Sequence, residues 1–81
     1  MRYASATLHR VTGRRLLAML RRLGCEVVRQ QGSHVRVRCG RCVTTVPVHA
    51  GEDLGPGLVR AIERDLELCL GKGWLGRERR R

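Results

Sequence analysis

The stretch from Gly32 to Pro47 constrains the fold more than any other part of the chain: Gly-Ser-His-Val-Arg-Val-Arg-Cys, then Gly-Arg, then Cys-Val-Thr-Thr-Val-Pro. Successive side chains of a strand point to opposite faces. The strict alternation therefore sends Val35, Val37 and Cys39 one way and His34, Arg36 and Arg38 the other. Gly40-Arg41 makes a two-residue hairpin loop, with glycine where a type II′ turn requires it. That turn sets a register in which Cys39 opposes Cys42, Val37 opposes Thr44 and Val35 opposes Val46 on one face. On the other face, Arg38 meets Val43, Arg36 meets Thr45 and His34 meets Pro47. Turn chemistry and hydrophobic pattern agree on which face is buried, and such agreement specifies a single pairing.

The flanking segments are helical. Thr12 is the expected N-cap of a helix over about 13–23, with Leu16, Leu20 and Leu23 on one stripe, Leu17 widening it and Gly24 as the stop. Cys25 to Gln30 reads as a first strand whose inward face is ambiguous because Val27 and Val28 are adjacent, and Gln31-Gly32 is the expected turn. A second helix begins near Pro56, buries Leu58, Ile62, Leu66 and Cys69 or Leu70, shows Arg60, Glu63, Arg64 and Glu67 to water, and ends at Gly71. The order is helix, three antiparallel strands, helix: an α+β domain with both helices on the greasy face of a meander and the opposite face wet.

Three regions follow: a basic leader over 1–11, the folded domain over 12–71, and a glycine-rich, basic tail over 72–81 whose default reading is disorder. His9, in the leader, is expected in solvent without a role. An 81-residue chain suffices for one two-layer core. Aromatics are confined to Tyr3 and Trp74, so the core must come from Leu, Val, Ile and Ala.

Charge narrows the partner. Seventeen basic residues stand against seven acidic ones, for a formal charge of +10 and a pI near 11.4. A small domain so charged expects a polyanion, nucleic acid first and an acidic protein second. Nearly all of the positive charge is Arg, which suits bidentate phosphate contact, although a GC-rich genome gives the same bias. No stretch reaches the roughly 18 apolar residues of a membrane span, and the N-terminus lacks the apolar core of a signal peptide. The expected compartment is the cytoplasm, where the four cysteines would be thiols or metal ligands rather than a disulfide framework.

His34 is the leading catalytic candidate. Histidine moves protons near neutral pH, and this one follows a glycine turn in line with Arg36 and Arg38. Such a group can serve as general base or acid at a ribose 2′-OH or a leaving 5′ oxygen, while arginines stabilise the charge that develops on phosphorus. His49 stands two residues beyond Pro47, the expected partner of His34, and is a candidate second acid–base group or an orienting neighbour. Ser33 lacks the strand–turn–helix elbow of a serine hydrolase and fits better, with Gly32, in shaping the turn and positioning a phosphate. Arg14, Arg15, Arg21 and Arg22 fall together on the polar side of the first helix, since positions seven apart nearly eclipse. They form either a solvated face or a phosphate-binding stripe. Cys39-Gly40-Arg41-Cys42 has the spacing of half a zinc knuckle, with Cys25 and Cys69 single on other elements. Free thiols are favoured over zinc there, and a redox role is weaker because such pairs sit at helix N-termini.

These residues together resemble a known family. The match runs from about Gly13 to Leu70. It comprises the Gly-Arg-Arg-Leu-Leu helix start, Leu23-Gly24 through Gly32-Ser33-His34, Thr45-Val46-Pro47-Val48-His49, and Leu54-Gly55 through Arg60-Ala61-Ile62. In this the chain is similar to the HicA-type mRNA interferase toxins of toxin–antitoxin pairs. The resemblance implies a double-stranded-RNA-binding-domain-like α-β-β-β-α fold, cleavage of mRNA without metal or other cofactor, and neutralisation by an acidic HicB-type antitoxin. It implies catalysis by His34, Gly32 as the turn glycine and His49 as a second histidine. The chain departs from the family in having Cys25 where an aromatic is usual, in its C-x2-C hairpin, and in its basic extensions. A non-catalytic RNA-binding module is the main rival reading, because such folds often only bind; an inactive antitoxin-binding remnant and a zinc-binding module are the others.

Overall fold

The computed structural model describes residues 11–81, in six elements: α1 (Gly13–Arg22), β1 (Glu26–Gln31), β2 (His34–Cys39), β3 (Cys42–Pro47), α2 (Pro56–Leu70) and α3 (Trp74–Arg79). The strands form one antiparallel sheet in the order β1-β2-β3. This is the expected α-β-β-β-α fold with an open three-stranded sheet, extended by a short third helix. His9 and the rest of the leader before Val11 lie outside the described residues. Val11 itself is 1% exposed and belongs to the core, its carbonyl accepting from the Leu54 N–H at 2.7 Å.

Local chemistry sets the ends of α1. The Thr12 hydroxyl accepts from the Arg15 N–H at 3.1 Å, satisfying one of the orphan donors of a helix start. At the other end Gly24 takes φ +89°, the Gly24 N–H reaches the Arg21 carbonyl, and the Cys25 N–H reaches that of Leu20. Those two bonds are a Schellman cap, which needs the left-handed conformation that glycine adopts at no steric cost. Leu16, Met19 and Leu20 form the buried stripe; Leu17 and Leu23 pack half-buried beside it.

All six pairs of the β2–β3 hairpin occur in the register deduced from the turn, from Cys39 opposite Cys42 to His34 opposite Pro47. Gly40 has φ +63° and Arg41 a negative φ, as a type II′ turn demands. The first hairpin differs from expectation by one residue, because its loop is Gly32-Ser33, with Gln31 paired to His34 and Gly32 at φ +60°. A bulge lies in β1: Val27 pairs with Val37 but Arg29 pairs with Arg36, leaving Val28 without a Cα partner. The bulge resolves the adjacent valines, since it lets the strand change phase between them.

Helix α2 buries Val59, Ile62 and Leu66. Leu58, expected inside, is 38% exposed, and Val59 takes its place because the stripe is set three residues, not four, before Ile62. Thr44 on the core face of β3 is 2% exposed, and its hydroxyl donates to Asp65 of α2 at 2.9 Å.

The expected disordered tail instead contains α3. Trp74 and Leu75 are 2% and 3% exposed, and the Trp74 indole N–H donates to the Glu63 carbonyl at 3.0 Å. One large aromatic supplies enough apolar area to order a short basic segment that composition alone reads as unfolded. Buried Glu78 then collects Arg22 at 3.4 Å and Arg81 at 3.9 Å.

The cysteines also depart from expectation. Cys25 is bonded to Cys39 and Cys42 to Cys69, so all four sulfurs are in disulfides and neither free thiols nor zinc at Cys39 and Cys42 describes this state. The register explains the first pair, since Cys25 lies one step beyond the Glu26–Arg38 pair and so opposite Cys39, with Cα atoms 4.4 Å apart. The last turn of α2 lies over the start of β3 and brings Cys69 to Cys42, at 6.1 Å. Counting spacings along the chain cannot show either approach.

Candidate functional site

The wet face of the sheet carries the candidate chemistry. His34 opens β2, the central strand, with Gln31 of β1 on one side and Pro47 of β3 on the other. Next along the same face, Arg36 lies between Arg29 and Thr45, and Arg38 between Glu26 and Val43. His34, Arg36 and Arg38 are all exposed, while Val35, Val37 and Cys39 on the other side are buried, so the alternation read from the sequence holds residue by residue.

A surface depression gathers Arg29, Gln31, His34, Arg36 and Thr45. The Arg36 Nη1 donates to the Thr45 hydroxyl at 3.0 Å, which fixes the guanidinium beside the histidine. Two guanidinium groups and an imidazole line one open concavity, the groups by which an anion can be held beside a proton-transfer group. Arg38 stands apart from it, forming a salt bridge and hydrogen bond to Glu26 at the far end of the face. Arg29 takes the position expected of Arg38. Sequence reasoning missed Arg29, which reaches this face because the turn sets Gln31 opposite His34 and Arg29, two residues back along β1, opposite Arg36; the bulge upstream then brings Glu26 onto the same face, opposite Arg38.

The turn residues are placed as their types require. Gly32 has a positive φ, and the Ser33 carbonyl accepts from the Val48 N–H at 2.7 Å, tying the loop before His34 to the segment after β3. His49 follows in an exposed loop, its carbonyl accepting from the Glu52 N–H at 3.0 Å; it does not line the depression that holds His34.

The helix arginines divide into two groups. Arg14 and Arg21 line a depression between α1 and the sheet with Val27 and Gln30, whereas Arg15 and Arg22 face α3 with Glu78, Arg79 and Arg81. Neighbouring positions on a helix diverge by about 100°, which separates the 14/21 pair from the 15/22 pair. Arg22 is engaged with Glu78.

Fold and surface together define a class: a small α+β domain with two main helices behind an open antiparallel sheet, whose uncovered face presents a histidine among arginines. The family described as the HicA toxin of bacterial toxin–antitoxin systems matches residues 13–68. The chain belongs to that family and is the toxin of a toxin–antitoxin system, and toxins of that family are of the ribonuclease type. An antitoxin is therefore its partner. No curated protein and no solved structure matches the chain. Among the described residues no helix is long and apolar enough to cross a membrane.

Proposed function

We propose that this toxin is a cytoplasmic endoribonuclease that cleaves mRNA without metal, with His34 as its general acid or base. The observation that carries the reading is the shared depression of His34, Arg29 and Arg36 on the open face of the sheet. An RNA phosphate seated on the two guanidinium groups would place its ribose at the imidazole. His34 then takes the 2′-OH proton as that oxygen attacks phosphorus, or delivers a proton to the departing 5′ oxygen. Arg29 and Arg36 stabilise the negative charge that grows on the phosphoryl oxygens. Gly32 and Ser33 shape the turn that presents His34, and His49 is a second, more distant candidate for proton transfer. Arg38, farther along the same face, and the α1 arginines Arg14, Arg15, Arg21 and Arg22, on the helix side of the sheet, offer the RNA backbone separate basic surfaces.

The partner in this reading is an acidic HicB-type antitoxin, which suits a formal charge of +10. The test is His34→Ala. The purified variant keeps the circular dichroism and melting transition of the parent but neither cleaves RNA nor arrests growth. Cleavage retained by a nuclease-free preparation removes His34 from the reaction. Loss of cleavage in the parent with salt-sensitive RNA binding intact would establish the rival reading, a non-catalytic RNA-binding module.

A further inference from the structure

All four cysteines converge on the end of the sheet farthest from His34. Residues His34 and Cys39 begin and end the six-residue strand β2, so the two ends are about 16 Å apart at the rise of a strand. We propose that in its reduced state the chain binds one Zn²⁺ there through Cys25, Cys39, Cys42 and Cys69, as a closed structural site. The inference is independent of the cleavage reading, and its test reads metal and thiols rather than ribonuclease activity.

The placement of the four residues supports it. Cys39 and Cys42 face each other across a two-residue hairpin loop, the C-x2-C arrangement from which zinc knuckles are built. Each has a partner from another element, Cys25 with Cα 4.4 Å from that of Cys39 and Cys69 with Cα 6.1 Å from that of Cys42. The Cys69 sulfur lies under the hairpin loop, 3.8 Å from where a Cβ on Gly40 would stand. In a tetrahedral tetrathiolate site Zn–S bonds of about 2.3 Å hold the sulfurs about 3.8 Å apart. Opening a disulfide of about 2.05 Å to that distance moves its sulfurs by less than about 2 Å, which side-chain rotation can supply. Cys25, Cys39 and Cys42 are 7%, 3% and 8% exposed and Cys69 is half-buried beside them, so three of the four ligands are shielded from water and the fourth gives the metal its way in. Its net charge of −2 is offset by a chain carrying +10.

With the sulfurs paired, no group of three or more potential ligands stands ready among the described residues. Reduction creates the site. Two dithiol molecules each deliver two electrons and two protons, cleaving the Cys25–Cys39 and Cys42–Cys69 bonds to four thiols and closing to cyclic disulfides themselves. Zn²⁺ then displaces the four thiol protons. A reducing compartment favours this state over the paired one.

The full chain, reduced with dithiothreitol and freed of it anaerobically, is titrated with Co²⁺ and then Zn²⁺. One Co²⁺ per chain should bind with thiolate charge-transfer and tetrahedral d–d bands, and one Zn²⁺ should displace it. Mass spectrometry after alkylation should show all four cysteines protected by Zn²⁺, a readout that needs no variant. Cys69→Ser and Cys25→Ser should each weaken Zn²⁺ binding at least about tenfold. The oxidised chain should bind none. Failure of the reduced chain to bind one equivalent, protection of fewer than four thiols, or equal binding by the oxidised chain overturns the proposal.

Discussion

A Cβ on Gly13 would stand 2.1 Å from the carbonyl oxygen of Pro47. The first turn of α1 thus rests directly on the backbone of β3, at the residue paired with His34. The same glycine opens the helix whose Thr12 cap is bridged to Asp53, so helix, sheet and the loop before α2 meet at one point. A backbone oxygen cannot move aside as a side chain can. Gly13→Ala should therefore cost about 2–3 kcal/mol of stability by urea denaturation and depress cleavage, because any retreat of Pro47 shifts the histidine beside it. Gly57→Ala is the control, since a Cβ there meets nothing within 4 Å.

Arg29→Ala and Arg36→Ala should each lower kcat/KM for RNA cleavage by about 10- to 100-fold, as expected for removing one charge-assisted contact to phosphate. Arg38→Ala should change it by less than about threefold, since Arg38 faces Glu26 and lies outside the depression. Equal losses at all three positions would show that the face acts as an undifferentiated basic surface.

Trp74→Ala should destabilise the domain by about 3–5 kcal/mol, measured as a fall in the urea midpoint. The indole is fully buried and its N–H is bound to the Glu63 carbonyl. A truncation after Gly71 should do the same, whereas removal of Arg80 and Arg81, both exposed, should cost little.

Thr44 and Asp65 are bonded but differently placed, the first buried and the second exposed. Asp65→Ala leaves a hydroxyl without its partner in the core and should cost about 1–3 kcal/mol. Thr44→Val frees Asp65 to water and keeps the volume, so it should cost about 1 kcal/mol or less. The inequality, read from paired denaturation curves, is the test.

The β2–β3 hairpin was fully legible in the sequence because a two-residue turn and period-two alternation specify the same register, and His34 came with it. Both long helices were legible from their caps and stripes. What the sequence hid were features decided by a single residue against its local composition. Trp74 orders a segment rich in Gly and Arg by burying one side chain. Val59 rather than Leu58 faces inward because the helix phase is set by Ile62 and Leu66 downstream. Cys25 and Cys69 reach the hairpin through tertiary packing that no local spacing encodes. Arg29 shares the face of His34 through the Gly32-Ser33 turn, one residue from the turn expected, and the irregularity at Val28 returns Glu26 to that face opposite Arg38.

In a regular strand each residue keeps the face that its place in the alternation gives it. In β1 the single unpaired residue works as a phase shifter: with Val28 as the extra residue Val27 pairs with Val37 and Glu26 with Arg38, whereas an uninterrupted ladder through Val28 would turn Glu26 to the core side, opposite Cys39. Which upstream residue of β1 shares the face of His34 is therefore set by residue count as much as by residue kind, and the charge at the far end of that face depends on one extra residue while the β2–β3 hairpin and His34 stay in place.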